Sequence, residues 1–350
     1  MEALSSSVDD DDNNGETAEP SWASSDFAAA VPAANEVPFG AAAVLLSLGV
    51  TALLSILLIG FPAEMFNKTL LEHYEEIRGW FRWVPGWLTA APERSPLFQF
   101  ALFTLIATTV TTFLEPGAGF DRETLPLALS FLVTIPLVTL AYALPAEIYY
   151  RRISGTGAKI QILPLSLGAA ALCAAVTRIG HFLPGYVYGL MAEYRCGEGR
   201  RLEKEHEGQG LLVGAVVVFG VSLLAWQLAG ATDAAAASDT ASFGLRFGDN
   251  VLKQTFVVGL EGLVFALIPL RLLDGDKVKN WSLTAWTIMY GLALFFFVHV
   301  LVVTRWLEDQ DRASVVRMLA LFVAFALLSL SFWAYFNFRG PRVAAHDGTP

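Results

Sequence analysis

Stretches of about 20 mostly apolar residues recur along this chain, at about 39–61, 97–115, 125–147, 160–180, 210–230, 252–273, 283–304 and 313–336. A run of that length and character spans the hydrocarbon core of a bilayer as a helix, because only a helix or a closed barrel satisfies every backbone polar group there. The pattern predicts an all-α, polytopic membrane bundle of about eight transmembrane helices over 39–338. A ninth apolar stretch, Pro184–Ala192, is too short to cross alone and predicts a re-entrant or hairpin element near 181–192. With 55% hydrophobic and 16% charged residues, the composition excludes an ordinary soluble domain. The bilayer itself is the first partner implied, and no basic excess points to nucleic acid.

The net charge of −10 is misleading. Residues 1–38 carry nine acidic and no basic side chains, so the remainder is near neutral. That acidic segment is too polar to offset its chain entropy by burial and is expected to be disordered. It lacks a signal-peptide pattern, so the first helix is expected to stay as a signal anchor. Cys173 and Cys196 have no paired or CxxC spacing, and neither a disulfide framework nor a thiolate metal site is expected.

Lysine and arginine concentrate in cytoplasmic loops. If the N-terminal side of the first helix is outside and 160–192 enters and leaves on one side, the cytoplasmic loops gather sixteen of the 23 basic residues and the outer side four. A single crossing at 160–192 gives ten against ten. The rule therefore favours a hairpin there, a cytoplasmic tail at 339–350 and residence in the plasma membrane. Residues 62–95 show helical apolar spacing, a Thr69-x-x-Glu72 capping-box pattern and Trp80, Trp83 and Trp87, which predicts an amphipathic helix on the cytoplasmic face. Asn67-Lys68-Thr69 matches a glycosylation sequon that would have no use on that side. Residues 231–250 read as a flexible outer loop.

Ionisable groups at membrane depth are costly and mark candidate sites. Here they are Arg178 and His181 in TRIGHFLPGYVYG, Glu261 in VVGLEGLVF, Asp274 in LRLLDGD and His299 in FFFVHVLVV. Pro184-Gly185 breaks the first of these segments and lets Tyr186 and Tyr188 present hydroxyls to a polar cavity, or simply makes the turn of a hairpin. Pro269 bends the chain before Asp274, and Gly275 permits close backbone approach. Glu261 lies about 20 Å from Asp274 on a straight helix and cannot share its site. Gly259-x-x-Gly262 gives a smooth packing face around Glu261. Arg178 is a candidate ion-pair partner for one of the two acids, and His299 reads as a packed, hydrogen-bonded histidine.

FALIPLRLLDG, HFLPGYVYG and FPAEMFNKT together resemble the actinobacterial membrane proteins named for an FGLLP motif, with Ala266 and Ile268 in place of Gly and Leu. Leu273-Asp274-Gly275 also resembles the third-ligand motif of the site-2 proteases, intramembrane zinc enzymes, and His181 lies 93 residues upstream, at the place of the second histidine of their HExxH helix. In that register Thr177 replaces a ligand and Arg178 replaces the catalytic carboxylate. Catalytic zinc needs three protein ligands and a general base, so the resemblance implies a degenerate catalytic motif and no resident cofactor.

The leading expectation is a non-proteolytic scaffold that binds a transmembrane segment or a lipid. Two other functions are consistent with the residues. An active zinc protease would need an unorthodox set drawn from His181, Asp274, His206 and His299. A transporter or channel would use Glu261, Arg178 and His181, although no internal repeat accompanies them.

Overall fold

A computed structural model describes residues 30–58, 60–80, 96–113, 115, 118–119, 124–154, 158–162, 175, 192–196, 204–238, 240–271, 273–307 and 312–338. The architecture is predominantly helical. In chain order the elements are α1 (Ala41–Leu58), α2 (Phe61–Glu72), α3 (Tyr74–Trp80), α4 (Pro96–Thr112), α5 (Thr124–Ser154), β1 (Ala158–Ile162), β2 (Ala192–Cys196), α6 (Lys204–Ala236), α7 (Phe243–Ala266), α8 (Asp274–Trp281), α9 (Leu283–Phe296), α10 (Thr304–Leu307) and α11 (Arg312–Phe338). The α9–α10 junction is a wide, π-helical turn at Phe297–Val303.

Five stretches are long and apolar enough to cross a bilayer: 41–72, 124–153, 205–236, 283–307 and 315–338. They mark the chain as a membrane protein, with fewer such stretches among the described residues than the eight expected. The differences have physical causes. The helix expected at 97–115 is α4, whose 17 residues reach only about 25 Å. The segment expected at 252–273 is α7, which starts at Phe243, stops at Ala266 and carries Arg246, Asp249, Lys253 and Glu261. That helix is an inner element, with residues 254–264 all buried.

The stretch expected to begin a span at 160 opens instead as strand β1, whose Ala-Lys-Ile-Gln-Ile alternates with the period of a strand. It pairs antiparallel with β2, Ala158 opposite Cys196 and Ile162 opposite Ala192. This ladder sets the two ends of 163–191 side by side. Arg178, His181, Tyr186 and Tyr188 lie between them, outside the described residues.

Lipid tails are as apolar as leucine, so close packing and hydrogen bonds, rather than water exclusion, hold such helices together. Glycines on α6 supply the closeness: a Cβ at Gly214 would stand 2.5 Å from the Tyr142 carbonyl oxygen of α5, and one at Gly210 would overlap the Tyr150 ring. Gly208 does the same against Trp281 of α8, and Gly259 of α7 against Ser222 of α6. Buried hydrogen bonds add specificity, since Gln254 of α7 donates to Ser130 of α5 (2.8 Å) and its carbonyl oxygen accepts from Thr134 (3.3 Å).

Four further expectations are corrected. Residues 231–236 and 243–250 are helical, which leaves only 237–242 as connection, because Lys253 pairs with both Asp233 and Asp249 and draws α6 and α7 together. Residues 30–38 are not a free tail. Pro32 accepts a hydrogen bond from the buried Trp226 indole (2.9 Å), and Ala34 lies against Gly230. Thr69 is no capping residue, for it lies inside α2 and its hydroxyl donates to the Met65 carbonyl. The expected 62–95 helix is broken at His73 into α2 and α3, and 81–95 lies outside the described residues.

Candidate functional site

At one end of the bundle the chain between α7 and α8 crosses over itself. Pro269 has no N–H to continue a helix and disfavours helical backbone in the residue before it, and α7 ends at Ala266. The carbonyls so released find side chains. Leu267 accepts from the Trp286 indole of α9 at 2.8 Å. Pro269 accepts from the Asn67 side-chain amide at 2.8 Å, while the Asn67 carbonyl oxygen accepts from the Arg271 backbone N–H at 3.0 Å. Asn67 thus pairs with the loop as a neighbouring strand would, and α2 is tied to it.

Asn67→Ala leaves that carbonyl and that N–H without their partner, at a cost of about 1–2 kcal/mol. Faster hydrogen–deuterium exchange at Arg271 would report the loss; unchanged exchange would show that the clamp does not hold the loop.

Asp274 opens α8, where the helix dipole favours an acidic side chain. Its Oδ2 accepts from the Tyr142 hydroxyl of α5 at 2.8 Å, and its Oδ1 lies 3.5 Å from Lys277 Nζ. Lys277 also pairs with Glu207 of α6 at 3.2 Å. The Glu207 carbonyl accepts from the Tyr150 hydroxyl at 3.0 Å. Nearby on the same helices, Tyr149 donates to Gln209, which also meets His206 Nδ1 at 3.3 Å. Next to Asp274 a Cβ on Gly275 would overlap the carbonyls of Leu267 and Ile268, so the start of α8 lies directly on the end of α7.

This arrangement does not suit a divalent metal. Asp274 is already engaged by a hydroxyl donor and by an ammonium, and Lys277 places a positive charge beside the carboxylate that zinc would need. Among the described residues no three His, Cys, Asp or Glu side chains converge on one point. His206 belongs to the Gln209 pair, whereas His299 is bonded to Ser47 of α1 at 2.7 Å. Glu261 is fully buried within α7. The structure therefore gathers Asp274 with Tyr142, Lys277 and Glu207, and does not gather it into a metal-binding group with His206 or His299.

Sequence reading missed most of these partners. Asn67 stood in a quoted motif but was taken for an idle sequon. Tyr142 sits in an apolar helix with no pattern to flag it, Lys277 counts only among the loop charges, and nothing local to His206-Glu207 shows that Glu207 pairs with Lys277.

No protein-family model, curated protein or solved structure matches the chain.

Proposed function

We propose that this chain is a multi-pass plasma-membrane protein that binds a transmembrane segment or a lipid on a site-2-protease-like scaffold and does not cleave it. The observation that supports this reading is the engagement of Asp274 by Tyr142 and Lys277. In that setting the carboxylate is a structural anchor between α5 and α8, charge-compensated from its own helix, with both oxygens already engaged. The resemblance to the FGLLP-motif proteins is retained on the same terms, and two of the three motifs that carry it, FPAEMFNKT and FALIPLRLLDG, meet at the Asn67 clamp. The paired ends of 163–191 support a hairpin entering from one side, and with it an outer N-terminal side and a cytoplasmic C-terminal tail.

Native mass spectrometry of the detergent-purified protein tests the reading. The expected spectrum shows lipid or membrane-peptide adducts, retained in Asp274→Asn, and no stoichiometric zinc. One zinc per chain, lost in Asp274→Asn, would overturn it in favour of an active metalloprotease.

A further inference from the structure

The opposite end of the bundle holds a second polar position, built from other residues. His299 lies in the wide turn Phe297–Val303, all of whose residues are buried. Such turns interrupt the regular helix ladder and are frequent at functional sites. Here the Thr304 hydroxyl donates to the His299 carbonyl at 2.8 Å, supporting the turn. The imidazole itself is fully buried.

The orientation of that ring is fixed. Ser47 Oγ lies 2.9 Å from the Ala43 carbonyl oxygen and 2.7 Å from His299 Nδ1; we assign its proton to the carbonyl, which makes Nδ1–H the donor to Ser47. Nε2 is then the bare lone-pair nitrogen. It has no hydrogen-bond partner among the described residues, and neither has the buried hydroxyl of Thr51, one turn beyond Ser47 on the same face of α1. Orphaned buried polar atoms are rare in folded proteins and each calls for a reason.

The surroundings narrow the kind of partner that would satisfy these atoms. No charged side chain occurs in α1 or between Ser282 and Thr304, and the buried charges beyond them, Arg305 after the turn and Glu261 on α7, are already engaged, so an ionic group would enter without a free counter-charge. Both stretches are long and apolar enough to lie in a bilayer, which makes the membrane the source of a ligand. Phe295 stacks on the His299 ring at 5.3 Å, and Phe39 covers it at 4.9 Å. Phe39 precedes α1, is held in no helix and is 58% exposed, so it is the wall that faces outward.

We propose that His299 Nε2, with the Thr51 hydroxyl, forms a binding site for a neutral lipid alcohol that enters from the bilayer past Phe39. The lipid hydroxyl donates to Nε2 and accepts from Thr51. This deepens the lipid-binding reading at a site of its own, so the metal test at Asp274 and the test here fail independently.

The probe is a photoactivatable, clickable diacylglycerol, added to the full chain in phosphatidylcholine nanodiscs and mapped by peptide mass spectrometry. Label is expected on peptides from 41–58 and 283–307. It should fall about fivefold in His299→Phe, as loss of one hydrogen bond implies, and persist in His299→Gln, which keeps an acceptor. A phosphatidic acid of the same chains should not compete. Equal labelling of His299→Phe would overturn the site. Should that variant fail to fold, the 15N resonance of Nε2 in the unaltered protein decides. A shift on adding diacylglycerol supports the site, and a resonance unmoved by it, as with bound water alone, refutes it.

Discussion

Replacing Gly275 by alanine is expected to destabilise the folded protein by about 3 kcal/mol, the upper part of the range for forcing extra atoms into packed structure. The added Cβ would meet the carbonyls of Leu267 and Ile268, which are backbone and cannot rotate away. Relief requires α8 to lift from the end of α7, and that motion strains the Trp286 bond to Leu267 and the Asn67 bond to Pro269. Thermal unfolding in detergent, followed by size-exclusion fluorescence, measures the effect. Gly244→Ala is the control, since a Cβ there meets nothing within 4 Å. Equal midpoints for the two variants would show that the crossing is looser than described.

Tyr142→Phe is expected to cost about 2 kcal/mol, the usual scale for a hydrogen bond to a charged group. The phenylalanine ring fills the same space, so the loss falls on the Asp274 carboxylate. Lys277 then remains as its described ionic partner, 3.5 Å away and shared with Glu207. Asp274→Asn should cost less in a Tyr142→Phe background than alone, because the two changes remove one shared interaction. Additive losses in that double-mutant cycle would mean that the hydroxyl and the carboxylate do not communicate.

The helical, membrane-embedded character of the chain was legible because apolar length alone dictates it. Asp274 was legible too, through Pro269 before it and Gly275 after it, which announce a bend and a close approach. What the sequence concealed was pairing at long range. Nothing local in NKT distinguishes an asparagine that awaits a sugar from one that grips a loop some 200 residues away. α7 was misjudged in the same way. Its charges near residues 246–253 resemble loop composition because the partners that hold them include Asp233, Thr232 and Ser238, which come from α6 and the connection after it. Arg178, His181, Tyr186 and Tyr188, expected at one polar site with Asp274, lie outside the described residues.

Among the described residues, the side-chain hydrogen bonds that tie α1 and α2 into the bundle reach far along the chain: Ser47 to His299, Asn67 to Pro269 and Arg271. On a ribosome adding about 5–20 residues each second, roughly 10–50 s separate the emergence of Ser47 from that of His299. Throughout that interval the first helices stand in the membrane with their polar side chains awaiting partners. Biogenesis of this protein is thus a late closure, in which the earliest segments are secured last, and factors that shield newly inserted helices have their longest task at α1 and α2.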